Sequence, residues 1–312
     1  MYSDGNMFAT NKELLSAAMA KGYAVGAFNI QNLETSLAVI EASTEERSPV
    51  IVAVTPSTIK YAGLEYLAGI VKTAAESVPV PMSLHLDHGK NIETVSKCID
   101  AGFTSVMIDG SHLNFEENIA LTKYVARLAH SKGISVEGEL GRLAGVEDAT
   151  VEEKKAVLTD PEAAKEFVER TGVDALAVAI GASHGAYKFK GEPKLDFERL
   201  KAIRKKVKVL LVLHGASSVP SGIVEKATKW GAELSGAKGI PEEHIKEAIS
   251  LGITKINIDT DLRLAFTGAI REILLSSPKE FDPRKILGPA KNAVKEVVKG
   301  KMRLFGSSAK AF

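Results

Sequence analysis

Short apolar runs recur along this chain, separated by longer stretches whose apolar positions fall at helical spacing. Eight runs read as strands: AVGAFNI (24–30), VIVAVT (50–55), MSLHLDH (82–88), SVMIDG (105–110), SVEGELG (135–141), ALAVAIG (175–181), VLLVLHG (209–215) and ITKINID (253–259). Amphipathic helices are predicted between them, for example over 32–46, 57–76, 115–132 and 161–170. Strand–helix alternation implies right-handed parallel crossovers. Eight such units predict a closed (β/α)8 barrel of the TIM type, a single domain over residues 1–312. The alternative is a doubly wound open sheet, but no GxGxxG follows the first strand. The polar stretches 150–160 and 188–194 read as mobile loops over the barrel mouth. FDPRKILGP then leads into a last amphipathic helix, AKNAVKEVVKGKM, an extra C-terminal helical segment.

Composition narrows the function classes. At 312 residues and 45% hydrophobic content the chain supports a sizeable core. Forty basic side chains against 39 acidic ones argue against a nucleic-acid partner and give no case for a membrane surface. An anionic ligand must therefore be held by local placement of charge and N–H groups. Cys98 is the lone cysteine, so no intrachain disulfide forms, as in a reducing compartment. The N-terminal residues do not read as a signal peptide, and no run of about 18 apolar residues predicts a membrane span. The expected location is cytoplasmic. A single glutamine, Gln31, among many charges leans toward a heat-adapted source.

Barrel enzymes place their chemistry at the C-terminal strand ends. The polar residues there are Asn29, Asp87, His88, Asp109, Glu139, His184, His214, Asn257 and Asp259. Such groups need partners when buried, and a shared metal or ligand satisfies many at once. His88, His184 and His214 each follow an apolar run and precede a glycine. Three neutral imidazoles converging on one point make a zinc site with an open position, able to polarise a bound carbonyl. His85 competes with His88 as a ligand. Strand alternation puts His85 and Asp87 on one face and His88 on the other, so Asp87 and His88 share the mouth only if regular strand geometry ends there. Asp87 is open to four roles: orienting a ligand, being one, moving a proton, or capping the helix near Asn91. Asp109 and Glu139 suit either a second cation or the anchoring of histidines. The turns GASHG, HGASS and NIDTD suit phosphate binding through backbone N–H groups and a helix N-terminus, with Gly215, Ser217 and Thr260 as candidates. Arg263 and Arg284 are candidates for a second phosphate.

HLDHG, SVMIDGSH, EGELGRLAGVED, AIGASHGAYK, LHGAS and INIDTDLR, in this order, resemble the class II fructose-bisphosphate aldolases over almost the whole chain. The resemblance implies a metal-dependent (β/α)8 barrel that reversibly cleaves fructose 1,6-bisphosphate to dihydroxyacetone phosphate and glyceraldehyde 3-phosphate. It implies that His88, His184 and His214 bind the catalytic Zn2+. It makes Asp87 the proton donor to the C4 oxygen and Glu147 the acid/base at the dihydroxyacetone phosphate carbon. Asp109 and Glu139 match positions for a second cation, divalent or monovalent. Val146 stands where many relatives carry a further carboxylate for it. Asn29, Gly185, Gly215, Ala216, Ser217, Asn257, Ile258, Asp259 and Thr260 match the substrate site. Arg263 and Arg284 match the other phosphate site, with Arg284 supplied by a neighbouring subunit, hence a homo-oligomer, dimer or tetramer.

Four rivals remain at this level. Tagatose-bisphosphate aldolases share the metal mechanism, and Arg263 favours fructose by resemblance. A Schiff-base aldolase would use a barrel lysine, for which Lys255 has the right strand parity. A metal-dependent hydrolase barrel usually carries HxH on strand one, where this chain has Asn29. A non-catalytic phosphosugar-binding barrel would bind without releasing triose phosphate.

Overall fold

A computed structural model describes residues 7–145, 157–184, 194–234 and 238–311. Of Ala144, Gly145 and His184 it describes the backbone alone. Eight strands close into a parallel barrel: β1 (Val25–Asn29), β2 (Val50–Val54), β3 (Met82–Gly89), β4 (Ser105–Ile108), β5 (Ser135–Leu140), β7 (Ala175–Val178), β9 (Leu210–Leu213) and β10 (Ile253–Ile258). Each pairs with its sequence neighbour in the barrel, and β10 returns to β1. The eight predicted runs are these eight strands.

Two short additions lie outside that prediction. The two-residue strands β6 (Ala144–Gly145) and β8 (Ser183–His184) pair with each other, which sets Gly145 opposite His184. Helix α1 (Asn11–Lys21) lies across the N-terminal end of the barrel, touching β1, β3, β9 and β10. Its Leu14, Leu15 and Ala18 join Val25, Ala27, Ile51, Ala53, Ala175, Ala177, Leu210 and Val212 in the core inside the barrel. Those strand residues alternate in sequence, as inward-facing positions must.

The helices between strands are α2 (Leu33–Glu46), α3 (Pro56–Ala62), α4 (Leu64–Ser77), α5 (Ile92–Asp100), α6 (Phe115–His130), α7 (Pro161–Thr171), α8 (Phe197–Lys206), α9 (Ser221–Lys229) and α10 (Glu242–Ser250). The helix expected over 57–76 is instead two, α3 and α4. Gly63 has φ 86°, a conformation that a helix cannot contain. The chain ends with α11 (Thr260–Ser276) and α12 (Pro283–Leu304). The last helix starts earlier than its amphipathic run suggested, because Asp282 caps it and Pro283 fits its first turn. No residue from 270 to 289 is buried, so the end of α11 and the start of α12 form a helical hairpin with little cover. Farther along, Lys291, Lys295, Lys299 and Arg303 of α12 pair with Glu41, Glu45 and Glu46 of α2.

The inside of the barrel is divided by polarity. Inward positions of β1, β2, β7 and β9 are small or apolar up to the last residue. Those of β3, β4, β5 and β10 carry Ser83, His85, Ser105, Ser135, Glu137 and Lys255, all buried. The candidate site stands on this polar half.

Candidate active site

Asp87 and His88 both reach the mouth because β3 stops being regular there. Its register against β4 shifts between Leu86 and Gly89. His88 takes φ 50°, an uncommon conformation for which histidine is among the more tolerant residues. The bulge adds one residue to the strand and turns the side chain that alternation would send outward. The strained backbone N–H of His88 donates to Met107 Sδ at 3.4 Å. The helix cap near Asn91 is Asn91 itself, whose Oδ1 accepts from the Thr94 N–H, so Asp87 has no capping task.

Two imidazoles meet at the centre. His88 Nε2 and His214 Nδ1 are 2.9 Å apart, in rings at 79°. The other nitrogen of each ring faces acid. His88 Nδ1 lies 3.4 Å from Asp109 Oδ2 and 3.7 Å from Glu139 Oε2. His214 Nε2 donates to Glu137 Oε1 at 2.8 Å. With the His88 proton on Nε2 this contact is an N–H···N bond to His214 Nδ1; with it on Nδ1, two lone pairs face each other and a cation between them would relieve the repulsion. Ligands of a tetrahedral zinc at about 2.05 Å stand about 3.3 Å apart, so the pair fits a metal with little adjustment. Asp87 Oδ1 is 3.8 Å from His88 Nε2. Asp87, His88 and His214 form one group with metal-ligand spacing, and His88, Asp109 and Glu139 form a second. His85 belongs to neither group among the described residues.

His85 sits one layer deeper. It is fully buried, its Nδ1 2.9 Å from Ser105 Oγ and its Nε2 receiving Lys255 Nζ at 3.2 Å. Burial first, then the Lys255 charge, lowers its pKa to about 3, which keeps it neutral. Lys255 also donates to Glu137 Oε2 at 2.8 Å. A hydrogen-bonded column thus climbs the barrel axis from His85 through Lys255 and Glu137 to His214. It also answers the Schiff-base rival: the Lys255 amine is wholly buried and ion-paired. Glu137 is the functional residue that the strand-end reading missed. Its signal was period two, since it lies two residues before Glu139 on the same inward face.

Asp87 is held from both sides. Asn29 Nδ2 donates to Oδ2 at 2.8 Å, and Asn257 Nδ2 to Oδ1 at 3.0 Å. Burial opposes its ionisation, but its electrostatic attraction to His88 first and then to the Lys255 ammonium outweighs that and holds it well below the usual carboxylate range. Asn257 Oδ1 is buried without a hydrogen-bond partner among the described residues, an acceptor available to a ligand hydroxyl.

The remaining candidates divide into those near this centre and those apart from it. Ala216 and Ser217 are buried in the turn after His214. Gly215 has φ 61°, and a Cβ there would come within 2.6 Å of Ser183 O, so only glycine fits. Ile258 ends β10, Asp259 follows it, and Thr260 opens α11. Asp259 accepts from Gln31 Nε2 at 2.9 Å and from Arg263 Nε at 2.8 Å. Arg263 lines a cavity of about 470 Å3 with Gln31, Ser57, Thr58, Tyr61 and Thr267. Arg284 is not brought to the site by its own chain. It lies at the tip of the helical hairpin, 90% exposed, and bonds only its capping Asp282 among the described residues. Val146, Glu147 and Gly185 lie outside the described residues, as does the His184 side chain. So do 150–156 and 188–193, the greater part of the two loops expected over the mouth.

Comparison with known proteins agrees with this arrangement. The family model for fructose-bisphosphate aldolase class-II matches residues 9–310. The chain is 56% identical over 306 residues to a fructose-bisphosphate aldolase of Thermus caldophilus, covering 98% of this chain and all of that one. A Helicobacter pylori fructose-bisphosphate aldolase is 49% identical, covering 97% of this chain and all of its own length. Among solved structures, the YdjI aldolase of Escherichia coli K12 aligns with a TM-score of 0.80 at 36% identity, over 98% of this chain and 100% of that one. A closed parallel barrel with paired imidazoles at its mouth, matched end to end by these relatives, belongs to the class II fructose-bisphosphate aldolase family.

Proposed function

We infer that this chain cleaves fructose 1,6-bisphosphate reversibly to dihydroxyacetone phosphate and glyceraldehyde 3-phosphate, as a zinc-dependent aldehyde-lyase. The observation that carries the metal reading is the close approach of His88 Nε2 and His214 Nδ1 beside Asp87, a group with metal-ligand spacing. These two histidines, with His184, would hold the ion. Zinc, when bound, supplies Lewis acidity to the substrate ketone. The chain's own groups do the rest. Ionised Asp87, fixed by Asn29 and Asn257, takes the C4 hydroxyl proton as the C3–C4 bond breaks, and C4 leaves as the aldehyde. The electron pair stays on the dihydroxyacetone phosphate carbon, which Glu147 then protonates. In condensation Asp87 returns its proton. Asp109 and Glu139, side by side behind His88, would suit a second cation.

Gly185, Gly215–Ser217 and the Asn257–Thr260 segment receive the dihydroxyacetone phosphate half, and Arg263 faces the other phosphate. A tagatose bisphosphate substrate is less favoured, since the relatives are named for fructose bisphosphate. Comparing kcat/KM on the two sugars decides it. In a coupled triose phosphate assay, removing metal with EDTA lowers activity more than about tenfold and zinc restores it. Activity that survives EDTA, with substrate trapped by borohydride, would overturn the metal mechanism.

The working form is a homo-oligomer in a reducing, cytoplasmic setting. Leu274, Leu275 and Phe281 are 48%, 60% and 88% exposed on the hairpin that carries Arg284. Large apolar side chains grouped in this way mark a contact surface. Covering them with a second copy delivers Arg284 to that copy's Arg263 cavity. Arg284→Ala is expected to lower kcat/KM by about 10- to 100-fold without changing the oligomer, the scale of a lost bidentate phosphate contact. Phe281→Glu is expected to shift light scattering toward monomer with a similar kinetic loss. A monomeric wild type with full activity would exclude the shared site.

A further inference from the structure

We propose that Lys301 and Asp261 are positioning residues for the substrate's phosphate, tying the turn after His214 to the start of α11. The inference rests on reading Gly215–Ser217 and Thr260 as the dihydroxyacetone phosphate site. Asp261, the second residue of α11, has no exposed surface. Its Oδ2 accepts from Ser218 N at 3.2 Å and its Oδ1 from Val219 N at 2.8 Å. Lys301, nearly as buried, comes from the far part of α12. Its Nζ lies 2.9 Å from Asp261 Oδ2 and donates to Ser218 Oγ.

A buried ion pair is a weak source of stability, because desolvation offsets its attraction. What this one supplies is geometry. Val219 has φ 45°, a conformation that β-branched side chains avoid and that persists only where surroundings enforce it. The two carboxylate oxygens grip the amide of that residue and the one before it. On the turn's other side, a Cβ at Gly239 would collide with the Ser217 carbonyl, and Ile240 N donates to that carbonyl at 3.2 Å. The two phosphate elements are thus locked into one unit, with Asp261 as the clamp and Lys301 as its counter-charge. The extra C-terminal helix lies outside the eight strand–helix units, yet Lys301 brings it to the phosphate turn.

The test uses the full-length, zinc-loaded enzyme. Dihydroxyacetone phosphate and inorganic phosphate are titrated by calorimetry, kinetics are measured on fructose 1,6-bisphosphate, and zinc affinity is measured by chelator competition. Lys301→Met is expected to weaken dihydroxyacetone phosphate binding and raise KM by about tenfold, with kcat within about threefold and zinc affinity within about twofold. Lys301→Arg is expected to return KM to within about threefold of wild type, since it restores the charge. Should the methionine variant not fold, Asp261→Asn replaces it, with the same expected split. Ser217→Ala checks the reading underneath and is expected to weaken phosphate binding. If Ser217→Ala has no effect, the assignment of the turn fails and this inference with it. If Ser217→Ala weakens binding but folded Lys301→Met binds and turns over within about twofold of wild type, the clamp alone is overturned. A loss of zinc affinity in step with KM would also overturn it, because it would mark general loosening of the barrel mouth.

Discussion

Asp87→Ala is expected to lower kcat by roughly 10²–10⁴ while the barrel stays folded, the usual scale for loss of a general acid/base. The carboxylate is buried and accepts two amide N–H bonds, so its position does not depend on substrate. Its surroundings keep it ionised, the form that the proposed transfer of the C4 proton needs. Because Asp87 also lies 3.8 Å from His88 Nε2, the variant's zinc affinity must be measured alongside. A kcat loss with zinc affinity retained assigns the effect to proton transfer. A loss under about tenfold in the folded, zinc-replete variant would remove Asp87 from that role.

The second large effect is expected at Glu137. Glu137→Ala strips the buried Lys255 ammonium of its partner, and breaking a buried pair in this way costs about 3–5 kcal/mol. It also removes the acceptor that holds the His214 proton on Nε2. Losing such a carboxylate behind a metal-binding imidazole typically costs about 10- to 100-fold in metal affinity. Urea unfolding and chelator competition measure the two separately. In Glu137→Gln with Lys255→Met both charges are gone, so stability is expected to recover above that of Glu137→Ala. His214 keeps a neutral acceptor and part of its zinc affinity. If Glu137→Ala were to lose less than about 1 kcal/mol and bind zinc as wild type, the axial column would have no such task.

Much of this site could be read along the chain, and the exceptions have particular causes. Asn29, Asp87, Asn257 and Asp259 were found because each ends a buried apolar strand, where a polar side chain stands out. Glu137 and Lys255 lie within strands, two residues deeper. There a charged residue reads equally as a structural or snorkelling group until its partner on another strand is known. The choice between His85 and His88 was undecidable by period two, because the bulge that turns His88 inward depends on how β3 pairs with β4. Lys301 was invisible for a related reason. Its partner Asp261 lies forty residues away, and nothing local distinguishes it from the neighbouring lysines of α12 that pair with α2.

Local pattern determined the eight strands, most of the helices between them and the strand-end polar residues. These depend on periodicities and turn residues that a few neighbours carry. Only the closed tertiary structure decided which histidine faces the mouth and which nitrogen of His214 faces His88 rather than Glu137. It alone showed that Lys255 is ion-paired and that a helix beyond the barrel contacts the turn after His214 through Lys301 and Asp261. Those outcomes depend on atoms far apart in sequence and about 3 Å apart in space, a distance set by barrel closure and hydrogen-bond geometry.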